Sequence, residues 1–309
     1  MRSLGAVLAL LMVGAIVGAQ EAAPVDPGRQ AFEAGVAAYN AGNFDEAKAK
    51  FVAALDTYQG DATVLTWLGT ACYSLRQWDE AIDYLTQATQ AKPDYAVAFN
   101  NLGNAYLEKG GSLLKEDATA AEGRDVVGKA IAAYTKAIAL DANYFYPVYN
   151  LALGYTAVRD WNLAWKYFTQ ATKLKADDPD VWRSFGRALK QAGELDKAMD
   201  KYKEAARLDP KCLECAVQLG WIYSKQARWP EAEGAYRGAV ALDPENFDAQ
   251  LGLGIALYSQ QKPGDALPPL QKASELKPDS FEALYNLGLA QDGVGNPRAP
   301  RLLTARLRR

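Results

Sequence analysis

The amino-acid sequence predicts an all-α fold, an array of antiparallel helix pairs. Three observations predict it. Ala47, Ala81, Ala130, Ala164, Ala198, Ala232 and Ala266 stand 34, 49, 34, 34, 34 and 34 residues apart. Four residues after each comes a large side chain (Phe51, Leu85, Tyr134, Phe168, Tyr202, Tyr236, Leu270), and three further on a second alanine (Ala54, Ala88, Ala137, Ala171, Ala205, Ala239, Ala273). Twelve residues before the first alanine most units carry a glycine: Gly35, Gly69, Gly186, Gly220 and Gly254, with Gly103 in the same role in the stretched unit.

Each element follows from a spacing. Steps of four and three mark one face of a helix, so the alanine segment is a helix, here helix B. The glycine segment is a second amphipathic helix, helix A, with Leu or Phe before the glycine at Leu68, Leu102, Phe185, Leu219 and Leu253. Pro93, Pro210, Pro244 and Pro278 close units, because proline ends a helix and opens a turn. Small residues on both helices allow close backbone approach, with the large residues filling the space beside it. One pair cannot bury its apolar face alone, so neighbours must stack.

The pattern resembles the tetratricopeptide repeat family, most fully at Trp182, Phe185, Gly186, Leu189, Ala198, Tyr202, Ala205 and Pro210. That resemblance implies a right-handed superhelical solenoid whose A helices line a concave wall. The frames are 28–61, 62–95, 96–144, 145–178, 179–212, 213–246 and 247–280, with a partial eighth at 281–300, so the array runs over 28–291. Ala152 replaces the glycine of the fourth frame, and Ala31 and Gln59 fit the first poorly. In the eighth, Pro300 stands at the key alanine. The basic tail 301–309 caps the array through Leu302, Leu303 and Leu307, is a solvated end, or reads as an anion-binding hook.

The third frame holds 15 extra residues, at about 110–124. Gly110-Gly111 is expected to release the chain from helix A after Lys109, with a short loop or helix at Leu113-Leu114 and an early start to helix B that Gly123 weakens. Two readings stay open. The insertion is tolerated loop growth, or it flanks a binding groove with Leu113 and Leu114 as contacts.

Residues 1–19 have the form of an export signal: Arg2, an apolar run from Leu4 to Val17, and small residues up to Ala19. A cleaved signal, followed by a linker at 20–27, places the protein in the periplasm or outside a bacterial cell, with no membrane span remaining. An uncleaved anchor is the competing reading. Removing the five arginines of 298–309 and Arg2 from the formal charge of −3 leaves −9 on residues 20–297. An acidic body is a poor partner for nucleic acid or an anionic membrane. The chain has no histidine, and no phosphate loop, nucleophile elbow or metal-ligand cluster is recognisable. The reading is therefore a non-enzyme without cofactor or metal, acting as a monomer.

Positions 2, 5, 9 and 12 of helix A lie roughly 130° from its core face. There and at position 6 the sequence offers Asn100, Asn101, Asn104, Tyr146, Tyr149, Asn150, Arg183, Arg187 and Trp221. Asparagine donates to and accepts from a peptide backbone, arginine matches carboxylates, and aromatic rings supply contact area. The leading function is a protein–protein interaction scaffold of the cell envelope that binds an extended peptide or chain terminus. The alternative is a carbohydrate- or cell-wall-associated protein stacking sugars on Tyr146, Tyr149 and Trp221. Cys212 and Cys215 form a local disulfide in the leading reading, free thiols in a second, and a redox or metal pair in a third. Cys72 falls on the core face of helix A.

Overall fold

A computed structural model describes residues 26–116 and 120–295. Among them are fifteen helices and no strand. They run as pairs: α1 (Pro27–Asn40) with α2 (Phe44–Thr57), α3 (Ala62–Ser74) with α4 (Trp78–Ala91), α5 (Ala96–Leu113) with α6 (Ala120–Leu140), and α7 (Phe145–Ala157) with α8 (Trp161–Leu174). Then come α9 (Pro179–Gln191) with α10 (Leu195–Leu208), α11 (Leu213–Lys225) with α12 (Trp229–Leu242), α13 (Phe247–Ser259) with α14 (Pro263–Leu276), and last α15 (Phe281–Gly295). Odd-numbered helices are the A type and even-numbered ones the B type. The helices form two compact units, residues 1–170 and 171–309. Inside each, helices pack on their pair partner, on the next pair, and A type on A type. The signal segment at 1–19, most of the linker and the tail at 301–309 lie outside the described residues.

Local chemistry starts and stops the helices. Asp26, Asp61, Asp178 and Asn246 each cap an A-type helix by accepting a backbone N–H of its first turn. The turn from A to B ends in the left-handed region at Gly42, Arg76, Arg159, Gly193, Ala227 and Gln261, again at 34-residue spacing outside the insertion. Four of those six are not glycine, and a left-handed residue with a Cβ costs about 1 kcal/mol.

The structure refines the role of the repeated glycine. A Cβ built on Gly103 would stand 2.4 Å from the Tyr134 ring, and one on Gly35 2.6 Å from the Phe51 ring. Gly69, Gly220 and Gly254 meet Leu85, Tyr236 and Leu270 in the same way. The large residue of helix B thus sits directly over the glycine of helix A, rather than beside a glycine–alanine contact. The alanines before and after it, from Ala47 to Ala273, are fully buried.

Among the described residues the insertion is mostly helical. α5 continues through Gly110-Gly111 to Leu113 and is 18 residues long, and α6 is 21. Other A-type helices up to α13 have 13 or 14 residues, and the other B-type helices have 14. The expected exit after Lys109 is corrected for a geometric reason. A Cβ on Gly110 would lie 3.0 Å from the Gly123 carbonyl oxygen, and one on Gly123 2.9 Å from the Leu114 amide nitrogen. Two glycines let the lengthened helices touch backbone to backbone, so Gly123 supports the extension it was expected to weaken. Position 125, which would carry the left-handed turn residue by spacing, lies inside α6.

Candidate functional site

In the first unit the candidate residues meet as a chain of amides running along the A-type helices. Asn101 of α5 donates to the Thr70 hydroxyl of α3 at 3.0 Å and accepts from the Asn100 amide at 3.1 Å. Asn150 of α7 donates to Asn100 Oδ1 at 3.2 Å and to Asn104 Oδ1 at 2.9 Å. Tyr134 of α6 closes the set by donating its hydroxyl to Asn104 Oδ1 at 2.9 Å. Burial holds that phenol well above its ordinary pKa, so it remains a donor. Because Asn104 Oδ1 accepts twice, its Nδ2 is turned away from the network. Asn104 Nδ2 and Asn150 Oδ1 take no hydrogen bond among the described residues, and neither is a buried orphan.

Two candidates are corrected. Asn100 and Tyr149, both at position 5, are 3 % exposed and do not line an open wall. Position 5 is covered because successive A-type helices pack on one another, as α3 on α5 and α5 on α7. Tyr149 stacks on Phe145 at 5.8 Å and meets Phe168 edge-on at 6.1 Å. Tyr146 is half-buried against Tyr144 and Phe145. With Tyr149 enclosed, the aromatic platform needed for sugar stacking is reduced. Thr70 was missed although it stands at position 9 of the second frame; the same position rule would have found it.

In the second unit the same positions carry charge, and the charges find each other. Arg187 grips Glu214 of α11 with two short bonds from Nη2, at 2.7 and 2.8 Å, and Arg183 Nε approaches the same carboxylate at 3.5 Å. Arg183 also pairs with Asp180 at 2.9 Å. Lys190 donates to Gln218 at 2.6 Å and lies 4.7 Å from the Trp221 ring centre, with Lys225 at 5.3 Å from the same ring. The two arginines expected to await a carboxylate therefore already hold one. Tyr202 of α10 is fully buried, and its hydroxyl has no hydrogen-bond partner.

Cys212 and Cys215 are joined across the first turn of α11, their Cα atoms 5.3 Å apart, and Cys212 Sγ accepts the Cys215 N–H at 3.1 Å. Both are buried. Cys72 is a buried free thiol whose pKa burial pushes up to about 11. Among the described residues there is no group of three or more potential metal ligands, and no helix is long and apolar enough to cross a membrane.

The family model for the tetratricopeptide repeat matches residues 32–96, 73–114, 149–211 and 217–280, leaving out the whole of the lengthened α6. No curated protein matches the chain. Among solved structures, the C-terminal part of a TPR repeat-containing protein from Cytophaga hutchinsonii is 14 % identical with a TM-score of 0.65, covering 83 % of this chain and 99 % of that one. YrrB, a TPR protein with an unusual peptide-binding site, is 22 % identical with a TM-score of 0.51, covering 65 % and 96 %. The Cut9–Hcn1 hetero-tetramer of the APC/C gives 16 % and 0.54 over 85 % of this chain, which spans 46 % of the chain it matches. These likenesses establish the fold.

Proposed function

We propose a function from one premise: the chain belongs to the tetratricopeptide repeat family. The scaffold of that family fits a protein–protein interaction role. The finer reading is a non-catalytic scaffold that holds an extended peptide segment of its partner by the peptide backbone. The observation that carries it is the pair of unengaged amide atoms on neighbouring A-type helices, the donor Asn104 Nδ2 and the acceptor Asn150 Oδ1. A peptide group offers the complement, one C=O and one N–H, whatever its side chain. The rest of each asparagine is held by the network, so little side-chain entropy is lost on binding. An exported location in the cell envelope is part of the proposal, supported by the apolar segment after Arg2 and by the Cys212–Cys215 pair.

The test is to select peptides from a random library on the intact chain and then alter both sides. Asn104→Ala with Asn150→Ala should weaken a selected peptide about tenfold or more, equivalent to one or two lost hydrogen bonds. N-methylation of single peptide bonds should reproduce that loss at one register position only, with the protein unchanged. Peptides that tolerate both changes would sink the backbone reading.

A further inference from the structure

The last described helix differs from every A-type helix before it. Six repeat glycines lie under a large side chain of their own B-type helix, with a built Cβ 2.4 to 3.2 Å from it. Gly288 of α15 holds the same repeat position, and a Cβ there meets nothing within 4 Å. Around it Phe281, Leu284 and Tyr285 are 80, 50 and 41 % exposed, three of the six exposed large hydrophobics among the described residues. The opposite side of α15 is packed, with Ala283, Leu289 and Ala290 in the core beside Leu257 and Leu270. An apolar surface with an unfilled notch thus lies where a B-type helix covers each earlier pair.

We propose that the chain's own residues 299–309 cover this face in cis, with Leu303 seated in the Gly288 notch. Leucine is enough to fill such a notch, as Leu85 does over Gly69 and Leu270 over Gly254. Those leucines follow their glycines by sixteen residues; at that spacing from Gly288 stands Thr304, with Leu303 just before it. Leu307 follows four residues later. Charge selects this occupant over a second copy. Residues 278–295 carry Asp279, Glu282 and Asp292 and no base, while residues 296–309 carry five arginines and no acid. Two copies of the face would oppose acid to acid, whereas the tail neutralises it. The tail is also tethered beside its site, at an effective concentration of order millimolar.

The experiment uses the full chain and a chain truncated after Arg298, each with and without Gly288→Ala, followed by amide hydrogen exchange across α15. If a leucine fills the notch, the new methyl clashes with it and exchange in α15 quickens in the full chain. In the truncated chain the same methyl meets open space and adds helix propensity, so exchange slows, by about threefold. Slowing in both chains overturns the proposal. A photo-crosslinker at Leu284 provides a second readout. A monomer-mass product joined to residues 299–309 and lost in Leu303→Asp is expected. A dimer-mass product, or none to the tail, overturns it.

Discussion

Asn104 and Arg187 occupy the same position of the repeat, yet their surroundings behave in opposite ways. Around Asn104 the amides engage one another, and Asn104 and Asn150 each still leave one atom unengaged. Around Arg187 the guanidinium bonds are taken up by Glu214 of the same unit. Even the buried tyrosines differ: Tyr134 reaches Asn104, while Tyr202, the equivalent residue, reaches no partner. One packing scheme therefore supports two polar chemistries. An amide can be both braced and available, because it has a donor and an acceptor on one plane. A paired ion in a compact cluster is braced by giving up its availability.

The largest effects are expected at the glycines beneath the two tyrosines. A Cβ on Gly103 would stand 2.4 Å from the Tyr134 ring, but one on Gly186 only 3.2 Å from Tyr202. Gly103→Ala should destabilise by about 2–3 kcal/mol through overpacking. Gly186→Ala should fall within about 0.5 kcal/mol of neutral, because gained helix propensity offsets the milder contact. Equal shifts in urea midpoints would show that the two sites pack alike.

Acid probes one carboxylate of the second unit, Glu233, which serves two cations. Burial acts to raise the Glu233 carboxyl, but bonds from Arg237, Gln260 and Lys262 outweigh it and hold the pKa at about 2. A carboxyl depressed on folding stabilises the protein above its unfolded pKa near 4.5, and that contribution is lost as pH falls from there through about 2. Glu233→Gln should therefore flatten the acid limb of a stability–pH curve over that window.

Removing the two hydroxyls compares the networks directly. Tyr134→Phe takes a donor from Asn104 and should cost about 1 kcal/mol. Tyr202→Phe removes a buried hydroxyl that has no partner, so stability should hold or rise by up to about 1 kcal/mol. A loss for both in calorimetry would place an unseen partner at Tyr202. The smallest effect lies in the turns between paired helices of the second unit. Ala227→Gly should stabilise by about 0.5–1 kcal/mol by relieving a φ of 55°, and Gly193→Ala, at φ 85°, should cost at least as much. Matching signs would show that the turns, like the networks, are not equivalent.

The helix pairs were legible because each is written in short-range spacing. Ala198, Tyr202 and Ala205 mark one face at steps of four and three, and Gly186 twelve residues earlier marks the face it meets. The insertion misled because Gly110-Gly111 reads as an exit from a helix when its partner is not in view. Only Gly123, across the pair, shows that those small residues serve a close helix crossing. The candidate site was half legible. Helical angles put Asn104, Asn150 and Arg187 on the right face, but also put Asn100 and Tyr149 there, which a neighbouring helix buries.

The repeat, the pairing of helices and the residues that seal each pair follow from local sequence, since these depend on contacts within one repeat and on steric size. The tertiary structure decided which polar groups remain available. Asn101 meets Thr70 31 residues away, Asn150 meets Asn104 46 residues away, and Arg187 meets Glu214 27 residues away. No single helix encodes those meetings. They arise from the stacking of one pair on the next, and a polar atom is engaged or free according to what the adjoining helix brings within about 3 Å of it.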